Sequence, residues 1–126
     1  MTRLRMAVIG VGHLGQHHAR ILSALPDVEL VGVADSNADQ ARAVAAKLGT
    51  TPFDHYAPLV TRVDAVSVVT PTVHHHAVAA AFLKAGVPVL VEKPVCRTVA
   101  EADDLIALAA RSRVPLQVGH IERFNP

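Results

Sequence analysis

Aromatic residues are scarce in this chain. They make up 3% of 126 residues: three Phe, one Tyr and no Trp. Rings so few leave little platform on which single-stranded bases could stack. There is one cysteine, Cys96, so no internal disulfide can form, which fits a reducing compartment, the cytoplasm. A lone thiol in that setting reads as a small packing residue. No apolar run approaches the roughly twenty residues of a membrane span, and the apolar part of "MTRLRMAVIG" is too short for a secretory signal. A dominant charge is lacking as well: 12 Lys and Arg stand against 11 Asp and Glu, for a net charge of +1. With no basic block or stripe, neither nucleic acid nor a membrane is expected as partner.

What the chain does have is Ala and Val. Hydrophobic residues are 51% and charged residues 18%, the balance of a globular protein rather than a disordered one. The length suits one domain that folds without a disulfide or structural metal. Short Val-rich runs alternate with longer helical patterns. "RMAVIG" (5–10), "VELVGVAD" (28–35), "AVSVVT" (65–70), "VPVLVE" (87–92) and "PLQVGH" (115–120) read as strands. Their lack of polar alternation marks strands buried on both faces, as in a parallel sheet between helices.

Helices are expected over 14–25, 38–49, 73–86 and 98–113. The first turns Leu14, His18, Ile21, Leu22 and Leu25 inward. The second turns Ala41, Ala45 and Leu48 inward and stops at Gly49. The third stops at Gly86. The last opens on a Thr98–Glu101 capping box and ends on Arg111 and Arg113, which suit its dipole. Between them, 50–63 carries a short strand near Phe53 and a brief helix near Tyr56–Val60. The alternation predicts an α/β fold: a doubly wound parallel sheet in three α/β/α layers, one domain over 1–120.

"VIGVGHLGQHH" (8–18) places Gly10-x-Gly12-x-x-Gly15 between the first strand and the first helix. Gly10 serves a tight turn, a side chain at Gly12 would block a pyrophosphate, and Gly15 lets helix and strand approach. The helix start offers unpaired N–H groups to phosphate. Asp35 ends the second strand about twenty residues on, where a carboxylate can bond the adenosine ribose hydroxyls and repel a 2′-phosphate. Ser36 and Asn37 follow it on that side, with no Arg to receive such a phosphate. NAD is favoured over NADP. A P-loop is excluded, since Gln16 and His17 stand where Lys-Ser/Thr is required.

Two further motifs fall at strand ends, where ligands of open α/β sheets bind. "VVTPTVHH" (68–75) carries Thr70, Pro71, Thr72 and His75, and "VLVEKPV" (89–95) carries Glu92-Lys93-Pro94. With the glycine loop, this set resembles the glucose–fructose oxidoreductase/inositol dehydrogenase (Gfo/Idh/MocA) family, and the resemblance spans the whole chain. The closing "VGHIERFNP" looks most like members acting on nucleotide-linked sugars. The resemblance implies a Rossmann fold and an oxidoreductase that removes hydride from a secondary hydroxyl of a sugar, nucleotide-sugar or cyclitol, with NAD as cofactor. It implies that Gly10, Gly12, His13, Leu14 and Gly15 line the pyrophosphate and that Asp35 holds the adenosine ribose. Thr70, Pro71, Thr72 and His75 would flank the nicotinamide half. Glu92 and Lys93 would reach the nicotinamide ribose, and Lys93 the substrate hydroxyl. The family more often has Asn where this chain has Thr72.

Lys93 has a chemical reason of its own. Oxidising an alcohol requires losing a proton as the hydride leaves, and a cation near the oxygen stabilises the developing alkoxide. A lysine can also relay that proton. The histidines do not suggest a metal: His74, His75 and His76 are consecutive, so their side chains diverge around a helix, as do those of His17 and His18. His18 is expected to pack between helix and sheet, and His120 to end the last strand.

Family members continue into a second α+β domain that supplies most substrate contacts, a downstream Asp/His pair and the oligomer interface. Residues 121–126 read as the start of the connection to it. The 126-residue chain is therefore expected to bind NAD without turning over sugar alone, and its full-length parent to be a homo-oligomer. The alternative is a stand-alone NAD(P)-binding module or redox sensor without catalysis.

Overall fold

The computed structural model describes residues 3–119. His120 and the segment 121–126 lie outside the described residues. The chain runs β1 (Leu4–Ile9), α1 (His13–Ala24), β2 (Val28–Ala34), α2 (Ala38–Leu48), β3 (Thr51–Phe53), β4 (Ala65–Val68), α3 (His75–Lys84), β5 (Val89–Glu92), α4 (Val99–Ser112) and β6 (Leu116–Gly119). Two single 3-10 turns, Ala57–Leu59 and Thr72–His74, precede β4 and α3. The six strands are all parallel, in the order β3-β2-β1-β4-β5-β6.

Alternation along the strands sorts side chains into two cores. Ala7 and Ile9 of β1, Val66 and Val68 of β4 and Val91 of β5 face a cluster closed by Phe82 and Leu83 of α3 and Leu105 and Leu108 of α4. Val8 and Val33 face the other way, against Ala19 of α1 and Val44 and Ala45 of α2. The sheet is thus covered on both faces, which explains why its strands read as apolar runs. Phe82 is wholly buried, and truncating such a ring to Ala costs about 3–5 kcal/mol.

The helix ends follow their sequences closely. Asn37 caps α2, its Oδ1 accepting the Gln40 N–H at 3.2 Å, and Gly49 ends that helix in the left-handed region at φ +69°. Thr98 Oγ1 accepts the Glu101 N–H at 3.1 Å. The reciprocal half of the expected capping box is replaced, because the Glu101 carboxylate turns to the Arg97 guanidinium at 3.5 Å.

The inward face of α1 differs from the expectation. Leu14, Ile21 and Leu25 are exposed, whereas Gly15, His18 and Ala19 are buried. The cause is close packing. A Cβ on Gly15 would run into the Gly10 carbonyl oxygen, so helix and strand touch through small residues and the large aliphatics are rotated outward.

Candidate functional site

The strand order reverses between β1 and β4, and the cleft at their carboxyl ends is where a doubly wound sheet receives its ligand. Gly10, Asp35, Ser36, Thr70 and Pro71 line this cleft, which has a volume of about 230 Å³. Sequence reasoning missed its other wall: Asp54, His55 and Tyr56 from the segment after β3, with His74, Ala77 and Val78 from the start of α3. The His55 and Tyr56 rings stack at 4.5 Å. No motif marks 54–56; the one available signal was the clustering of a His and the chain's single Tyr in an otherwise ring-poor sequence.

The glycine turn is held by side chains. Gly10 sits at φ +93°, and a Cβ there would come within 2.6 Å of the Thr70 nitrogen. The Val11 N–H donates to Asp35 Oδ2 at 2.9 Å, and Gln40 Nε2 donates to the Val11 carbonyl at 2.8 Å. Sequence reasoning missed Gln40 as well. Asp35 Oδ1 accepts the Asn37 N–H at 2.9 Å. Asn37 is thereby committed to the turn and the α2 cap, and Ser36 lines the cleft.

Gly12 is the N-cap of α1, with no side-chain cap and no acid in the first turn. The N–H groups of His13, Leu14 and Gly15 have no partners within the helix, as in any first turn, and they carry its partial positive charge. A Cβ on Gly12 would meet nothing within 4 Å. No protein contact requires glycine there; the space it leaves is open.

The other predicted residues divide between surface and interior. Lys93 is exposed beyond β5, and Thr72 is half-buried in the 3-10 turn. His75 is buried. Its Nε2 lies 2.8 Å from the Thr70 carbonyl oxygen and its Nδ1 3.1 Å from those of Pro94 and Val95. The ring therefore bridges the two strand-end motifs from within rather than lining the cleft.

Glu92 is also buried, at 7% exposure. Its Oε1 lies 2.8 Å from Nε2 of buried His18, whose Nδ1 lies 2.9 Å from Ser67 Oγ. His18 packs between helix and sheet, as expected, but as the centre of a polar cluster.

Thr70 Oγ1 is buried without a hydrogen-bond partner among the described residues. Cys96 is half-buried against the core; burial, then the Glu101 charge, pushes its thiol up, away from nucleophilic chemistry. Among the described residues no group of three or more His, Cys, Asp or Glu could hold a metal ion, and no helix is long and apolar enough to cross a membrane.

These features fit a dinucleotide. Thr70 and Asp35 line the cleft, and the glycine turn leads from Gly10 at its edge to the open space at Gly12 and the uncapped helix start; His13 and Leu14 line a separate hollow with His17 and Arg20.

Comparison with known proteins places the same residues in context. Residues 4–120 match the model of an oxidoreductase family described by its NAD-binding Rossmann fold. UDP-N-acetylglucosamine 3-dehydrogenase from Acidithiobacillus ferrooxidans is 46% identical over 126 residues, covering 100% of this chain and 40% of that protein. Its solved structure superimposes with a TM-score of 0.92, covering 41% of that chain. Inositol 2-dehydrogenase 1 from Saccharopolyspora erythraea is 36% identical over 129 residues, covering 98% of this chain and 38% of that protein. The scyllo-inositol 2-dehydrogenase (NAD(+)) of Bacillus subtilis is 34% identical over 128 residues, covering 98% of this chain and 37% of that protein. The chain spans about 40% of the length of the first of these relatives.

Proposed function

Because the chain belongs to the Gfo/Idh/MocA oxidoreductase family through its NAD-binding Rossmann fold, we propose that it is the cofactor-binding part of an NAD-dependent dehydrogenase. The substrate would be a secondary hydroxyl of a sugar or cyclitol, and a nucleotide-linked sugar is favoured by the 46% identity to a UDP-N-acetylglucosamine 3-dehydrogenase. One observation carries the NAD assignment: the Asp35 carboxylate is seated on the glycine turn by the Val11 N–H.

A carboxylate offers about four lone-pair sites. The Val11 and Asn37 N–H groups take two, which leaves one on each oxygen for the two hydroxyls of an adenosine ribose. A phosphate on that ribose would meet the negative charge of Asp35. The first-turn N–H groups of α1 would hold the diphosphate above Gly12, and Thr70 Oγ1 would gain the partner it lacks. His55, Tyr56 and His74 would wall the adenosine side.

Bound NAD supplies the hydride acceptor. Lys93 would stabilise the charge developing on the substrate oxygen and take part in moving its proton. We place the protein in the cytoplasm, in keeping with its unpaired Cys96. We also propose self-association, to which exposed Val99 and Ile106, two turns apart on α4, would contribute apolar surface.

Calorimetric titration of the 126-residue chain with NAD, NADP and S-adenosylmethionine tests the reading. It expects NAD to bind more tightly than NADP and S-adenosylmethionine not to bind. Equal or tighter binding of NADP, or no affinity for either nicotinamide nucleotide, overturns it.

A further inference from the structure

His18, Ser67 and Glu92 form a buried polar cluster in which the cofactor reading gives a role to Glu92 and none to His18 or Ser67. Their residues come from α1, β4 and β5, and all three are at most 7% exposed. Ser67 lies between Val66 and Val68, and Glu92 follows Val91. Those three valines belong to the core on the α3–α4 side, so Ser67 and Glu92 fall on the α1 side, where His18 bridges them at 2.9 and 2.8 Å. β6 closes the cluster from beside β5: a Cβ on Gly119 would come within 3.2 Å of Glu92 Oε1.

A buried carboxylate is costly unless it is paired. Among the described residues His18 is the side chain that pairs with Glu92. An ionised carboxylate only accepts, so Nε2 of His18 carries the proton and donates to Oε1. In the neutral ring Nδ1 then accepts from the Ser67 hydroxyl. The tautomer is set by the far partner, much as a second hydrogen bond orients a catalytic imidazole.

The positions of the ends matter. His18 rides on the helix whose first turn forms the phosphate cradle. Glu92 immediately precedes Lys93. One hydrogen bond therefore ties the middle of α1 to the end of β5 across β4.

We propose that His18 is a positioning residue: by gripping the Glu92 carboxylate it fixes the end of β5, and with it Lys93, relative to the phosphate-binding start of its own helix. Its effect falls on the nicotinamide half of the cofactor and spares the ADP half. In its ligand measurements the proposal rests on the NAD reading above.

The test compares NADH with ADP, which lacks the nicotinamide and its ribose, on the parent chain, His18→Gln, Glu92→Gln and the double variant. Each single variant is expected to lose about tenfold in NADH affinity, near 1.4 kcal/mol, with ADP affinity nearly unchanged. The double variant should be no worse than the weaker single, because one residue acts through the other. Equal losses for both ligands, additive losses, or no loss overturns the proposal.

Should His18→Gln fail to fold, long-range ¹H–¹⁵N spectra of the parent chain and of Glu92→Gln, with the NADH and ADP titrations of Glu92→Gln, decide instead. The expected signature is an exchange-protected His18 Nε2 proton that moves upfield in Glu92→Gln. A rapidly exchanging ring, or a ring protonated on Nδ1 alone, refutes the pairing. A parent chain that binds neither ligand overturns the cofactor reading, and this proposal with it.

Discussion

The side chain of Asp35 and the backbone of Val11, 24 residues apart, are joined by a hydrogen bond of 2.9 Å. The acid that would choose between cofactors is thus also a strut of the turn that would hold their phosphates. Replacing it should damage both at once. Asp35→Ala leaves the Val11 N–H without its acceptor, and an unsatisfied, part-buried donor costs about 1–3 kcal/mol. NAD affinity is expected to fall by tenfold or more, and the preference for NAD over NADP to shrink, as read by titration with both nucleotides. Asp35→Asn keeps one acceptor oxygen, but its NH2 group faces the other N–H, because Val11 and Asn37 bond different oxygens; it should lose selectivity and part of the stability that Asp35→Ala loses.

Gly12 and Gly15 separate binding from folding. A Cβ on Gly12 meets nothing within 4 Å, whereas one on Gly15 strikes the Gly10 carbonyl. Gly12→Ala should leave the melting temperature nearly unchanged, since an uncrowded surface substitution stays within about 0.5 kcal/mol. Its NAD affinity should nevertheless drop, because the methyl group occupies the phosphate space. Gly15→Ala should destabilise the fold by roughly 1–3 kcal/mol or more through overpacking. Calorimetric melting and titration of the two variants measure the contrast.

In a polypeptide in which this domain turns over its substrate, Lys93→Ala should lower kcat by roughly 10²–10⁴, the usual worth of a positioned proton-transfer group. Lys93→Arg keeps a cation that does not deprotonate. It should recover part of the charge stabilisation while flattening the pH dependence. Steady-state kinetics across pH would read both effects.

Asp64 gives a pH-dependent handle far from the cleft. The Arg5 guanidinium, at 3.0 Å from Oδ1, and the Arg5 N–H, at 2.8 Å from Oδ2, hold its carboxyl below the usual carboxylate range. A depressed folded-state value contributes stability that is present above the unfolded value and lost as pH falls through the folded one. The parent should therefore melt above Asp64→Asn at neutral pH, and the gap should close on acidification below the ordinary aspartate range. The pair is exposed, so added salt should narrow the gap as well.

The parts of the molecule that could be read from sequence are those in which chain neighbours do the work. Strand, glycine turn, helix and Asp35 form one contiguous unit, and every strand but the short β3 announced itself as an apolar run. The phase of α1 could not be read that way. Leu14, Ile21 and Leu25 satisfy helical periodicity, yet the contact with β1 is decided by how closely two backbones approach at Gly10 and Gly15. The cluster of His18, Ser67 and Glu92 joins residues 49 and 74 positions apart, and no local pattern encodes such a distance. The wall at Asp54–Tyr56 was hidden for another reason: its position follows from where β3 ends, and the segment has no motif of its own.

His75 has a consequence for how such domains can be altered. Its ring touches the carbonyls of Thr70 on one side and of Pro94 and Val95 on the other. The two loops therefore cannot be treated as interchangeable cassettes. A chimera that imports 70–75 from a relative and keeps its own 92–95 would inherit half of a joint, and grafts in this region should succeed only when both segments travel together.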